Sequence, residues 1–281
     1  MGKIGALIQA RVTSTRLPGK ILKDLPYGSG ISVLQQVIRR LKRSKVLDEV
    51  IVVTTIEEED NQIIHLAEKE NIKYFRGSSE DVLSRYFLAA KENNIKTVVR
   101  ITSDCPCIDS EIVDLGVRNH FHTKSEYTSN TLNRTYPRGF DIEIVNFGLL
   151  ERINRNVRTT EEKEHVTLYI RKNPHLFKVA EIKAPKELYA PDIRITIDTE
   201  EDYALLCAVF DYLYPQNEYF GVCEIVNLFR KKPWLKLINK KVIHKKMYFS
   251  SLEEEAKESI KILDFQGLRR IRDFVKESLL K

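Results

Sequence analysis

The sequence predicts an α/β fold built on a mainly parallel sheet with helices on both faces. Three observations predict it. Short apolar runs rich in β-branched residues, Ile4 to Ile8, Glu49 to Thr55 and Thr97 to Thr102, read as strands buried on both sides. Stretches whose apolar residues recur at helical spacing separate them. The chain is 281 residues long with 42% hydrophobic and 31% charged residues, enough for a large core without disulfide staples.

Ile4 to Ile8 opens into a loop, through Leu22, that holds Arg11, Arg16 and Lys20 with Thr13, Ser14 and Thr15 between the first two cations. Such a loop suits a polyanion: arginine grips phosphate oxygens as a planar fork, lysine adds a mobile charge, and hydroxyls and backbone N–H groups fill the remaining acceptors. A solvated basic loop is the alternative. Leu34, Val37, Ile38 and Leu41 mark the first helix, and Glu49 to Thr55 the next strand. A second helix carries Ile63, Ile64, Leu66 and Ala67 and leads to a strand at Lys73 to Arg76; a third, with Val82, Leu83, Tyr86, Phe87 and Ala90, leads to Thr97 to Thr102. This alternation implies right-handed βαβ units in a Rossmann-like sheet, whose ligands sit beyond the carboxyl ends of the strands. That rule gathers Arg11, Thr54, Gly77 and Asp104 onto one edge.

Between about 120 and 190 the rhythm changes. A polar stretch from Thr123 to Arg138 precedes strand-like Phe140 to Val145, and a helix is expected over Thr160 to Lys172, capped by Thr159 and Glu162. Strand-like Phe177 to Ile182 and Ile193 to Ile197 follow, then a helix with Leu205, Leu206, Val209 and Phe210. The middle part reads as an inserted lid or dimerisation region that completes the site. The tail from Ser251 reads as two amphipathic helices broken at Gly267, a hairpin packed on the body or a homodimer contact. The expected domains are 1–246, with the insertion, and 247–281.

The net charge is +6, but seven lysines and no acid lie between Lys231 and Lys246, and the remainder is close to neutral. That excludes a broad nucleic-acid surface and leaves a solvated connector, or a contact with a membrane surface or a polyanionic partner, for the run itself. No apolar stretch approaches the roughly 20 residues of a membrane span, and no signal peptide is legible, so a cytoplasmic protein is expected. The four cysteines read as reduced thiols.

Asp104, Asp109 and Asp198 follow β-rich runs. A hard cation such as Mg2+ takes one or two carboxylates with water and phosphate oxygens, a need that Asp104 and Asp198 meet; helix capping is the other reading of either. The polar residues of the insertion, Tyr127, Ser129, Asn130, Arg134, Tyr136, Arg138, Asp141 and Glu143, with Glu164 and His165 later, suit a polyhydroxylated or acidic acceptor.

Taken in order, the loop Ala10-Arg11-Val12-Thr13-Ser14-Thr15-Arg16-Leu17-Pro18-Gly19-Lys20, the run Arg100 to Pro106, the blocks Ser129-Asn130 and Arg134 to Pro137, Gly139 to Glu143, Glu164 to Thr167 and Arg194 to Thr199 resemble the cytidylyltransferases that activate sugar acids. The likeness is to the enzymes for 3-deoxy-manno-octulosonate and acylneuraminate, and more closely to the branch named for spore coat polysaccharide biosynthesis. It spans residues 3 to 232. The resemblance implies a fold of the nucleotide-diphospho-sugar transferase type and transfer of CMP from CTP to a sugar-acid or related polar acceptor, with Mg2+ as cofactor. Arg11 and Lys20 would hold the triphosphate, with Ala10, Thr13 and Arg16 beside them, and Asp104 and Asp198 the metal. The cytosine would lie near Thr54 and Gly77-Ser78, with Asp81 and Arg85 following, although residues 76 to 85 depart from the family pattern. The acceptor would fall to Ser129, Asn130, Arg134, Tyr136, Asp141, Glu143, Glu164, His165 and Arg194. The loop lacks the Gly-Gly start of enzymes that make UDP- or dTDP-sugars. A glycosyltransferase acting on a ready-made nucleotide sugar, and a non-catalytic nucleotide-binding subunit, are the other readings.

Overall fold

In chain order the elements are β1 (Ile4–Gln9), α1 (Val33–Leu41), β2 (Glu49–Thr55), α2 (Asn61–Lys69), β3 (Lys73–Gly77), α3 (Val82–Glu92) and β4 (Thr97–Thr102). They continue as α4 (Ser110–Thr123), β5 (Tyr127–Ser129), β6 (Glu143–Asn146), α5 (Phe147–Asn156), α6 (Thr160–Glu164) and α7 (Leu168–Lys172), then β7 (Val179–Glu181), α8 (Glu200–Leu213) and α9 (Val222–Lys231). The computed structural model describes residues 2–14, 16–242 and 251–280. The chain divides into two compact units, Met1–Lys240 and Lys241–Lys281. Thr15, the boundary expected at 246/247, and Lys245 and Lys246 of the basic run lie outside the described residues.

The strands of the first unit form one sheet in the order β3-β2-β1-β4-β6-β5-β7. β1 pairs in parallel with both β2 and β4, and β2 with β3, as helical crossovers require. The carboxyl ends of these four strands therefore lie along one edge. Residues alternate between two cores. Ala6, Ile8, Val52, Val99 and Ile101 pack on one face with α1, α4, α8 and α9, while Leu7, Ile51, Val53 and Val98 pack on the other with α3, α5 and Ile170 of α7. A strand apolar at every position is what such a double burial demands. At its start α1 carries a capping box, in which Ser32 accepts from Gln35 and Gln35 returns a bond to the Ser32 N–H.

The inserted segment extends this sheet. β6 runs antiparallel to β4 and β5, and β7 pairs in parallel with β5. Two expectations are corrected here. The helix expected over Thr160 to Lys172 breaks between α6 and α7, where Val166 takes a φ of 40° and so turns Thr167 and Arg171 toward Glu143. The strand expected at Ile193 to Ile197 joins no sheet. Its extended backbone makes a single bridge, Arg138 to Arg194, and the Ile197 N–H donates to the Asp104 carbonyl at 2.9 Å. Its hydrogen-bonding groups are spent on two loops rather than on a ladder, which places Asp198 beside the end of β4. The second unit holds α10 (Leu252–Phe265) and α11 (Arg269–Leu279), packed as a hairpin around Gly267 at φ 70°. Leu268, Ile271 and Phe274 are exposed on it. Among the described residues no helix is long and apolar enough to cross a membrane.

The bridge between Arg138 and Arg194 depends on Gly139, whose φ is 113°. A Cβ there would lie 2.7 Å from the Ile195 carbonyl oxygen, which is backbone and cannot swing aside. Gly139→Ala is expected to cost about 1–3 kcal/mol of unfolding free energy in a urea titration, and a wild-type midpoint would show the turn to be more accommodating than its geometry implies.

Candidate active site

The sheet edge and the extended segment bring three charged groups of distant sequence to one point. The Lys20 ammonium donates to Asp104 Oδ2 at 3.0 Å, to Asp198 Oδ1 at 2.8 Å and to the Ile197 carbonyl at 2.8 Å. Arg16 adds a 3.2 Å ion pair to Asp198 Oδ1, and Arg194 donates to Asp198 Oδ2 at 2.6 Å. Burial pulls the Lys20 pKa down, but Asp104 and Asp198 outweigh it and hold the ammonium above the usual lysine value. Burial pushes Asp198 the other way, and Lys20 and Arg194 overcome it, keeping that carboxyl well below the usual range. Behind Asp198, Asp202 accepts two bonds from Arg194, at 2.9 and 2.8 Å, and one from the Asp198 N–H at 3.0 Å.

The loop that delivers Lys20 is pinned at both ends. Leu17 and Ile21 are buried in the core, and Gly19 turns through the left-handed region, its N–H donating to the Val12 carbonyl. The Ala10 N–H donates to Val53, and the Val12 N–H to Asp60 Oδ1 at 2.7 Å. Asp60 Oδ2 accepts both the Thr54 and Thr55 hydroxyls, at 3.0 and 2.5 Å. Asp60 is thus a positioning residue that sequence reasoning missed; its one signal was its place in the acidic turn just after β2. Thr54, expected near the base, is fully buried and spends its hydroxyl on Asp60, holding the loop. Arg11 and Thr13 lie exposed on the loop, and Arg11 makes no hydrogen bond or ion pair among the described residues.

At the end of β3, Gly77 gives way to Ser78, whose hydroxyl accepts from the Glu80 and Asp81 N–H groups. Asp81 caps α3 through the Ser84 N–H and pairs with Lys163 at 3.2 Å. Arg85 passes close beneath Gly77, where a Cβ would come within 2.7 Å of its Cγ. Its side chain is buried, yet Nε and Nη1 have no hydrogen-bond partner among the described residues. A buried guanidinium left in that state is costly unless an acceptor arrives to meet it. Burial, first, and the field of Arg11 depress its pKa, whereas Asp60 and Asp81 oppose them.

The residues expected on the acceptor side divide into two groups. Ser129, Asn130 and Glu143 are buried and committed to the protein itself. Ser129 donates to the Ile142 carbonyl, and Asn130 bonds Phe140 and Ile142, which shapes the loop between β5 and β6. Glu143 accepts from Tyr127 at 2.5 Å and Thr167 at 2.6 Å and is paired with Arg100 and Arg171. It is a wall of the site rather than a contact surface. Tyr136, also buried, lines a separate cavity of about 540 Å³ with Asp109, Arg43 and Leu188, whose lining includes neither Asp104 nor Asp198. Asp109 caps α4 through the Glu111 N–H and ties down the Val222 N–H. The second group stays accessible. Arg134 and Asp141 form a two-pronged pair at 2.6 and 2.7 Å, and Arg138 stands half-buried beside Arg194 with no acceptor for its side chain among the described residues. Burial, then Arg134, lower the Arg138 pKa, with Arg194 acting in the same direction. Glu164 is exposed at the end of α6, and His165 caps that helix.

Among the described residues no three His, Cys, Asp or Glu side chains form a metal cluster. Two carboxylates do converge, and the Lys20 ammonium stands at the point between them where a hard cation would sit. Such a donor set suits a metal that completes its shell with water and substrate phosphate. All four cysteines are free, and burial raises the Cys105 thiol far above the usual range, which makes it a poor thiolate ligand.

Comparison with known proteins matches residues 5–232 to the family model described as cytidylyltransferase. The spore coat polysaccharide biosynthesis protein SpsF of Bacillus subtilis is 36% identical over 239 residues, 83% of this chain and 96% of that protein. A solved cytidylyltransferase from Leptospira borgpetersenii superposes with a TM-score of 0.79 at 38% identity, covering 86% of this chain and 99% of the other. A CMP-2-keto-3-deoxy-manno-octonic acid synthetase solved with CTP shares the fold, with a TM-score of 0.55 at 17% identity over 74% of this chain and 98% of its own.

The Glu143 cluster carries a pH signature. Burial alone raises that carboxyl, but Arg100 and Arg171 depress it from 4.5 to about 2. A depressed carboxylate lends stability that is fully present above its ordinary value and is lost as pH falls from about 4.5 toward about 2. Glu143→Gln is expected to lose roughly 3–5 kcal/mol at neutral pH, because two largely buried cations lose their partner. The gap from wild type should narrow between pH 4.5 and 2 in urea titrations; a gap independent of pH would separate the cluster from the carboxylate's charge.

Proposed function

Because the chain belongs to the cytidylyltransferase family of CTP-dependent nucleotidyltransferases, we propose that it transfers CMP from CTP to an oxygen of a small polar acceptor, with release of pyrophosphate and with Mg2+ as cofactor. The observation that carries this reading is the convergence of Asp104 and Asp198 on the Lys20 ammonium, at the floor of the basic loop.

The cluster is balanced before nucleotide arrives: Lys20, Arg16 and Arg194 face Asp104, Asp198 and Asp202. A triphosphate adds about four negative charges, so its counter-charge comes from elsewhere. Arg11, exposed on the loop, and Arg85, with its orphaned nitrogens, supply part of it. Asp104 and Asp198 would hold the magnesium ion, which neutralises charge on the α-phosphate and on the leaving pyrophosphate when bound. The chain's own residues do the rest. The acceptor oxygen attacks the α-phosphorus in line, its bond forming as the bond from that phosphorus to the bridging oxygen breaks. Pyrophosphate leaves with the electron pair, and the acceptor's proton passes to solvent. Lys20 is poised to exchange carboxylate for phosphate oxygens. A unit charge pair about 4 Å apart contributes roughly 4 kcal/mol at an effective dielectric of 20, so one lost contact costs orders of magnitude in rate.

The accessible pair Arg134 and Asp141, with half-buried Arg138 beside it, faces the acceptor in this reading. An unpaired guanidinium there favours an acceptor with a carboxylate, phosphate or phosphonate group, and the carboxylate of Asp141 suits hydroxyls.

The test is a pyrophosphate-release screen that crosses the four nucleoside triphosphates with sugar acids, amino sugars and phosphorylated or phosphonate compounds in magnesium. Release confined to CTP with an anionic acceptor is expected. A transferase working on a ready-made nucleotide sugar releases none, and tight CTP binding without turnover against any acceptor would instead indicate a nucleotide-binding subunit. Asp104→Ala is expected to lower kcat by at least 10²–10³-fold, about the cost of losing one transition-state contact, while its melting temperature stays near wild type. Near-wild-type turnover in that variant would remove the metal assignment.

A further inference from the structure

The carboxylate of Asp198 is supported by a side chain from beyond residue 232, where the family match ends. After α9 the chain makes a short helical turn, Pro233–Leu237, whose Leu235 is fully buried. That turn seats Asn239, which is 8% exposed. Its Nδ2 donates to Asp202 Oδ1 at 2.9 Å and to the Arg194 carbonyl at 3.1 Å. Both partners only accept, so the amide nitrogen must face them.

The bonds of Asp202 show what this amide does. Oδ1 takes Arg194 Nε and Asn239, and Oδ2 takes Arg194 Nη2 and the Asp198 N–H. Four donors fill the lone-pair sites of the carboxylate and fix its plane. The plane of Asp202 fixes the Arg194 fork, and Arg194 Nη2 grips Asp198 Oδ2 at 2.6 Å. Without the Asn239 donor, Asp202 keeps the Arg194 fork and the Asp198 N–H but loses the bond that ties Oδ1 to a group outside residues 194–202, so the Asp202–Arg194 pair is less firmly anchored.

We propose that Asn239 is a positioning residue for the Asp198 carboxylate, acting through Asp202 and Arg194 to aim it at the point where the Lys20 ammonium sits. The segment after α9 is then part of the active-site scaffold, not a connector. The proposal rests on the reading of Asp104 and Asp198 as the metal-holding pair.

The test uses the full chain with Asn239→Ala and Asn239→Asp. Mn2+ binding without nucleotide is read from the electron paramagnetic resonance signal of the free ion, and kcat and the KM for CTP are measured at saturating magnesium. Removing a partner that orients a metal ligand typically costs 10–100-fold. Asn239→Ala is expected to weaken Mn2+ binding by about that factor and to lower kcat, with the KM for CTP little changed. Asn239→Asp keeps the shape but turns a charged oxygen toward Asp202 and a carbonyl, so it is expected to be worse than alanine; packing alone would leave it like wild type. Should alanine not fold, Asn239→Ser keeps one donor and is expected to fall between wild type and aspartate. Wild-type Mn2+ affinity in the alanine or serine variant, or in the aspartate variant, overturns the proposal. Absence of Mn2+ binding to the wild-type chain overturns the metal reading beneath it, whereas wild-type binding with unaltered variants overturns this inference alone.

Discussion

The site rests on one electrostatic constraint: two carboxylates aimed at the same point need a cation between them. In this chain the Lys20 ammonium fills that role, within 3.0 Å of both Asp104 and Asp198. Like charges that share a site push each other's pKa apart, and one of them protonates unless a counter-charge is supplied. Much of the surrounding architecture delivers that counter-charge. The parallel sheet brings the end of β1 next to the end of β4, Asp60 clamps the intervening loop, and the extended segment at Ile193 to Ile197 carries Asp198 across. Each device is local, but each acts on the same three atoms.

A second constraint governs the wall of the site. Glu143 sits where β6 adds to the sheet antiparallel to β4, opposite Arg100. Two largely buried guanidinium groups and two hydroxyls meet its carboxylate. Desolvating so many charges has a large cost, and its return is geometry, because it fixes the break between α6 and α7 and joins the inserted segment to the main sheet. Ser129 and Asn130 have the same character. They are polar and buried because the loop they brace has backbone groups that no strand satisfies.

Part of this was legible in the residues. Apolar runs alternating with stretches of helical spacing set the alternation through β4, since burial on both faces demands apolar runs and amphipathic helices cover them. The loop from Ala10 to Lys20 was conspicuous, because arginine, lysine and hydroxyls cluster there within eleven residues. Asp104 and Asp198 stood at the ends of β-rich runs. Less legible were the residues whose polarity serves the protein itself. Thr54, Glu143 and Tyr136 read as ligand contacts, since a polar side chain near a site looks the same in sequence whether it faces solvent or another side chain.

By itself the sequence determined the fold class, the cationic loop and the two carboxylates, because hydrophobic period and residue chemistry are local properties. Only the tertiary structure decided which polar groups are spent. Asp60 holds the loop, Asp202 and Asn239 hold Arg194, and among the described residues the buried Arg85 is left with Nε and Nη1 unpaired. Those assignments depend on distances between residues as far apart as Lys20 and Asp198. Hydrogen bonding is a short-range, saturable interaction, so a donor's availability is known only once its neighbours in space are known.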